Sequence, residues 1–168
     1  GVLNIVHGTG PKTGAAIVKH PKIKGVSFTG STRAGKEIAS VAAPMFKKLS
    51  LELGGKNPVV IFADCDYEDM LNTTVRISFT NQGQICLCGS RIYIESSLYE
   101  RFKADFVERA KKLVVGDPKS AETNVGAVVS EVHYNKILSY IDLAKEEGGA
   151  ILCGGQAVKL TGELESGW

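Results

Sequence analysis

The sequence predicts an α/β chain built on a largely parallel sheet and shared between parts of two domains. Three observations carry that prediction. Short apolar runs bounded by Gly and Pro alternate with helix-length segments, the rhythm of βα units. Several of those runs pass through glycine straight into a helix start. The composition, 43% hydrophobic and 23% charged over 168 residues, is that of a globular chain rather than a disordered or fibrous one.

The elements follow in order. Val2 to Val6 reads as a strand. Gly8-Thr9-Gly10 turns the chain, and Pro11, whose fixed φ suits a first helical position, opens a helix to about His20. Gly25 to Phe28 is the next strand, and Ser31 caps a helix through about Ala43, which Pro44 helps to end. Lys48 to Leu53 alternates with period two, leucines on one face, Ser50 and Glu52 on the other. Gly54-Gly55 breaks it, Val59 to Phe62 is a short apolar strand, and Tyr67 to about Thr80 is a helix with an acidic first turn. The polar loop Asn81-Gln82-Gly83-Gln84 then delivers Cys86. Beyond it come a strand at Arg91 to Ile94, a helix from about Leu98 to Lys112, a long helix from about Val132 to Glu147, and a strand at Ala150 to Cys153.

Composition also excludes function classes. A formal net charge of +2, with 20 basic and 18 acidic residues dispersed along the chain, points to no nucleic-acid or membrane partner. No apolar run reaches membrane-spanning length. Four cysteines without a secretory segment predict reduced thiols and an intracellular, cytoplasmic setting. The opening at Gly1 without an initiator Met, and the stop at Trp168 just after a Gly-rich loop, are read as cut points within a longer protein.

Four motifs carry chemistry. Phe28-Thr29-Gly30-Ser31-Thr32-Arg33-Ala34-Gly35 runs a strand through glycine into a helix N-terminus, where free N–H groups and the positive dipole end form an anion site. With Lys36 it also fits G-x-x-x-x-G-K, but Glu37 stands where a P-loop needs a hydroxyl for magnesium, and a purely structural turn remains an alternative. Gly8 to Gly14 resembles the dinucleotide fingerprint with its last glycine displaced by one position; a plain tight turn is the alternative. Glu52 is either a solvated strand residue or, beside Gly54-Gly55, a general base with room to reach a bound water. Cys86 lies in a polar loop, which favours a nucleophile; alternatively Cys86 and Cys88 are small core residues on one pleat face. Cys-x-Cys without a second pair predicts no metal site, and Cys65 and Cys153 read as packing hydrophobes. His7, His20 and His133 form no nucleophile-plus-base pattern.

Taken together, Phe28 to Gly35, Leu51-Glu52-Leu53-Gly54-Gly55-Lys56-Asn57-Pro58, and Asn81-Gln82-Gly83-Gln84-Ile85-Cys86 ending in Gly89-Ser90-Arg91 resemble the aldehyde dehydrogenase superfamily across essentially the whole chain. The stretches Gly1 to Gly10 and Ile85 to Arg91 look nearest to its 2-aminomuconic and hydroxymuconic semialdehyde dehydrogenases. The resemblance implies a Rossmann-like, aldehyde dehydrogenase-like fold, with residues 1–52 as the C-terminal half of an NAD(P)-binding domain and 53–168 as the N-terminal half of a catalytic domain. It places the nucleophile at Cys86, because only that position aligns both Gly83-Gln84 and Ser90-Arg91, and the general base at Glu52. It implies a phosphate turn at Gly30-Ser31 leading to Gly35, an adenine pocket lined by Pro11, Ala15 and Ala34, Gly10 as a further cofactor-binding residue, and a backbone carbonyl of Leu53 near the nicotinamide.

The implied activity is oxidation of a small-molecule aldehyde to an acid, with NAD as cofactor and NADP not excluded, by a full-length homodimer or homotetramer. The 168 residues alone are expected to be inactive, since the family's oxyanion asparagine and ribose-binding residues fall outside them. Two other readings stand beside this one: a non-catalytic, crystallin-like relative, and a P-loop nucleotide-binding module.

Overall fold

A computed structural model describes all residues, 1–168, and the chain forms two compact units, Gly1–Gly55 and Lys56–Trp168.

In the first unit, a wide π-turn over Gly10–Gly14 with Pro11 at its start leads into helix α1, Ala15–Lys19. Strand β1, Gly25–Gly30, runs into helix α2, Thr32–Ala42, and strand β2, Lys48–Leu53, lies parallel to β1. Ser31 caps α2 as its residue type dictates, its hydroxyl accepting from the Ala34 N–H at 3.2 Å. Pro44 sits in the short 3-10 turn that ends α2, and Phe46 then turns the chain with φ of 53°. The alternation of β2 is as read: Leu49, Leu51 and Leu53 are half-buried, Lys48, Ser50 and Glu52 exposed.

The sequence did not show how α1 is anchored. Lys47 is 8% exposed, and its ammonium donates to the carbonyls of Val18 and His20, the latter at 2.8 Å. A cation is thereby held at the negative end of α1.

The second unit repeats the βα theme. Strand β3, Asn57–Ile61, helix α3, Tyr67–Phe79, and strand β4, Gly89–Ile94, form a parallel pair with its crossover helix. Helix α4, Tyr99–Lys111, packs on α3, and helix α5, Glu131–Glu146, follows after an extended stretch. The core is Ile61, Leu71 and Phe102, with Val59, Cys65, Met70, Ile92, Ile94 and Phe106 against it. Phe106 stacks on Phe102 at 5.2 Å and on Phe79 at 5.8 Å between centroids, geometry in which offset rings attract. Asp66 caps α3, accepting from the Asp69 N–H at 3.1 Å.

Three expectations are corrected. Val2 to Val6 is not a strand: no partner lies beside it and its apolar side chains are exposed. The same holds for Ala150 to Cys153, which forms no ladder. A strand is defined by its neighbour's hydrogen bonds, so apolar composition alone does not make one. Cys153 is consequently exposed, not packed. No helix is long and apolar enough to cross a membrane.

Candidate active site

In the first unit the relevant residues gather at the carboxyl ends of β1 and β2, where open α/β sheets place their ligands. The parallel register sets Gly30 beside Leu53 and Thr29 beside Glu52. Gly30 and Ser31 lead directly into α2, an 11-residue helix whose first two residues, Thr32 and Arg33, are exposed. Thr32, not singled out by the sequence reading, donates its hydroxyl to the Gly54 carbonyl at 3.5 Å. This ties the start of α2 to the glycines after Glu52.

Gly35 is buried, and a Cβ there would come within 2.6 Å of Leu53 Cδ2. Glycine therefore lets α2 sit directly on the end of β2. Ala15 on α1 and Ala34 on α2 are half-buried on helices that pack together, whereas Gly10 and Pro11 are exposed on the turn before α1. The donor set fits a dinucleotide: unblocked N–H groups at a helix N-terminus suit a pyrophosphate, and small residues between two helices leave room for a flat base. Glu52 is exposed on the polar face of β2.

In the second unit the chain leaves α3 through an unusual path. Asn81 (φ 50°), Gln82 (φ 56°) and Gly83 (φ 68°) are all left-handed, a conformation that costs non-glycine residues on the order of 1 kcal/mol each. This reversal ends the helix and releases a tight turn, in which the Cys88 N–H donates to the Ile85 carbonyl at 2.9 Å. Cys86 and Leu87 occupy its two central positions. Both are exposed, and no hydrogen bond within the chain engages their N–H groups. An exposed thiol beside two unengaged N–H donors can attack a carbonyl carbon and shelter the oxyanion that forms.

Cys88 is only 8% exposed, and its thiol faces the Thr80 carbonyl at 3.8 Å. The two cysteines do not share a pleat face, so the alternative that made both of them core residues fails. Asn57, to which no motif assigns a separate role, is central: its side-chain nitrogen donates to the carbonyls of Cys86 at 2.5 Å and Cys88 at 3.2 Å. Arg91 in turn donates from Nε to the Lys56 carbonyl at 2.9 Å. A cavity of about 590 Å³ lies elsewhere in this unit, between Phe79, Val128, Tyr134, Leu138 and Trp168. It includes neither Cys86 nor Asn57 and is an apolar recess apart from the thiol. No group of His, Cys, Asp and Glu side chains is arranged to hold a metal ion.

Comparison with known proteins adds to this geometry. The profile of the aldehyde dehydrogenase family matches residues 1–167. The 2-aminomuconic semialdehyde dehydrogenase of Mus musculus is 51% identical over 154 residues, covering 92% of this chain and 32% of that protein. Among solved structures, the betaine aldehyde dehydrogenase of Staphylococcus aureus in complex with NAD+ superposes with a TM-score of 0.87 at 39% identity, covering 90% of this chain and 30% of that one. HpcC from Thermus thermophilus gives 0.90 at 38% identity, with 96% and 31% covered. The chain thus spans about a third of the length of the relatives it matches.

Proposed function

Because the chain belongs to the aldehyde dehydrogenase family, we propose that it supplies the nucleophilic cysteine, Cys86, and the deacylating glutamate, Glu52, of an enzyme that oxidises a small-molecule aldehyde to a carboxylic acid. Residues 1–52 are the C-terminal half of its cofactor domain, and residues 53–168 the N-terminal half of its catalytic domain. The observation that carries the reading is the Cys86 turn, an exposed thiol whose neighbouring N–H groups are unengaged.

The chemistry follows from those groups. The Cys86 thiolate adds to the aldehyde carbon, and the N–H groups of Cys86 and Leu87 hold the resulting oxyanion. NAD, when bound, supplies the hydride acceptor that takes the thiohemiacetal to a thioester. Glu52 takes a proton from water, which attacks the thioester carbon; the acid leaves and the thiol returns. The crystallised relative in complex with NAD+ supports NAD as the cofactor. For that cofactor, Gly30, Ser31 and the start of α2 would face the pyrophosphate, with Pro11, Ala15 and Ala34 at the adenine, Gly10 on the turn before them, and the Leu53 carbonyl towards the nicotinamide. The name of the mouse relative favours a muconic-type semialdehyde as substrate. A cytoplasmic homodimer or homotetramer completes the reading.

The test is made in the full-length protein containing this segment. Cys86→Ala should abolish aldehyde oxidation, and Cys88→Ala should leave most of it. The reverse pattern refutes the assignment.

A further inference from the structure

We propose that Asn57 is the positioning residue of the Cys86 thiol, acting through the two carbonyls that bracket the turn; the proposal rests on reading Cys86 as the nucleophile. Asn57 begins β3 opposite Gly89, but Pro58 already stands opposite Arg91, so Ser90 is an extra residue in the pairing. Such a bulge bends the strand that carries it. Here it leaves Asn57 level with the turn that precedes β4.

The carboxamide nitrogen carries two hydrogens, and the carbonyls of Cys86 and Cys88 accept from it at 2.5 and 3.2 Å. Reversing the amide would set its oxygen against two carbonyl oxygens, so the orientation is fixed by chemistry. Both carbonyls are thereby drawn towards β3. In a planar trans peptide the Cys86 carbonyl and the Leu87 N–H point in opposite directions, so the pin on the carbonyl turns the Leu87 N–H away from β3. The Ile85–Cys88 turn bond fixes the other flank. The backbone of Cys86 is then held on both sides, leaving rotation about its side-chain bonds as the main freedom of the thiol.

The clamp is anchored rather than floating. Arg91 grips the Lys56 carbonyl at 2.9 Å, which keeps the start of β3 level with the turn. Gly89, the pairing partner of Asn57, has no room for a side chain: a Cβ would lie 2.5 Å from Val59 Cγ2. Alternatives to asparagine fail chemically. Aspartate has no hydrogen to give and would set a carboxylate against two carbonyl oxygens. Serine can serve one carbonyl but not both.

The experiment compares Asn57→Ala, Asn57→Ser and Asn57→Asp in the full-length enzyme, following the first-turnover burst of reduced NAD, the Kd for NAD, and the rate at which iodoacetamide labels position 86. A misplaced nucleophile should slow the burst by roughly 10-fold or more in the alanine and aspartate variants. Serine should recover part of the rate, labelling at Cys86 should change with the burst, and the NAD Kd should hold within about twofold. A burst within about twofold of wild type in both alanine and aspartate variants overturns the proposal. So does a Kd that rises in step with the lost burst. If the alanine variant fails to fold, the serine and aspartate variants decide. Cys86→Ala is run separately: turnover that survives it overturns the nucleophile reading, whereas labelling at Cys86 still reports whether Asn57 presents the thiol.

Discussion

Replacing Gly35 by alanine tests the seat of α2 on β2. The new Cβ would stand 2.6 Å from Leu53 Cδ2 and 2.8 Å from Leu53 Cδ1, against the roughly 3.5–4.0 Å that carbon atoms need. About 1 Å must therefore be found. Part can come from rotation of the leucine, and the remainder from α2 lifting off the sheet end. Overpacking of this kind costs about 1–3 kcal/mol, partly offset by about 1 kcal/mol from alanine's better helix propensity. If the net, about 1 kcal/mol, falls on the helix start proposed to face the pyrophosphate, the NAD Kd should rise about fivefold. Titration of the full-length enzyme with NAD measures it. Gly35→Ala combined with Leu53→Ala removes the clash while keeping the Leu53 backbone carbonyl, and should recover most of the affinity. A Kd for Gly35→Ala within about twofold of wild type, or a double variant weaker than the single one, would refute the reasoning.

Other outcomes follow from the same geometry. Glu52→Gln should slow steady-state turnover by roughly 100-fold while leaving the first-turnover burst, because acylation needs no base at that position; unchanged turnover would rule out a necessary base role. The 168-residue chain alone, assayed with NAD, NADP and a panel of aldehydes, should give no reduced cofactor, and turnover that disappears on Cys86→Ala would contradict this. Leu71→Ala, at a position 1% exposed in the core, should cost about 2–5 kcal/mol in denaturant unfolding. Burial, then the 2.6 Å hydrogen bond to Asp105, push the Tyr67 phenol up to about 12. The folded state thus keeps a proton that the unfolded chain releases near pH 10, so this contribution to stability is complete below about pH 10 and is lost as pH rises through about 12. Asp105→Asn should bring the phenol down towards its ordinary value, read by ultraviolet difference titration.

What the sequence disclosed and what it withheld divide along a physical line. Local chemistry was legible: Ser31 before a helix, Pro11 at a first turn, the period-two leucines of Lys48 to Leu53. Those signals depend on residues close in sequence. Val2 to Val6 carries the same apolar signal and forms no strand, since pairing is settled by a distant neighbour. The site divides likewise. Cys86 and Glu52 stood out through motif spacing, but the Asn57 amide reaches residues 29 and 31 positions away, and no spacing rule announces such a bond. The left-handed Gln82 was equally hidden, because glutamine, unlike Gly83 and Asn81 beside it, has no particular tolerance for a positive φ.

Both sheets are parallel pairs joined across a helix, and that has a consequence in time. A parallel strand cannot fold back on its predecessor through a tight hairpin; it waits for its partner to be made. From Asn57 to Ile94 the ribosome must add 37 further residues (94 − 57), roughly 2–7 s at ordinary synthesis rates. Until β4 is made β3 has no complete ladder, and for most of that interval Asn57 has no turn to hold. The thiol of Cys86 emerges late in the same window and before β4, its backbone still unclamped. Chaperones and oxidants in the cell therefore meet this cysteine first as a flexible thiol, and only afterwards as a positioned one.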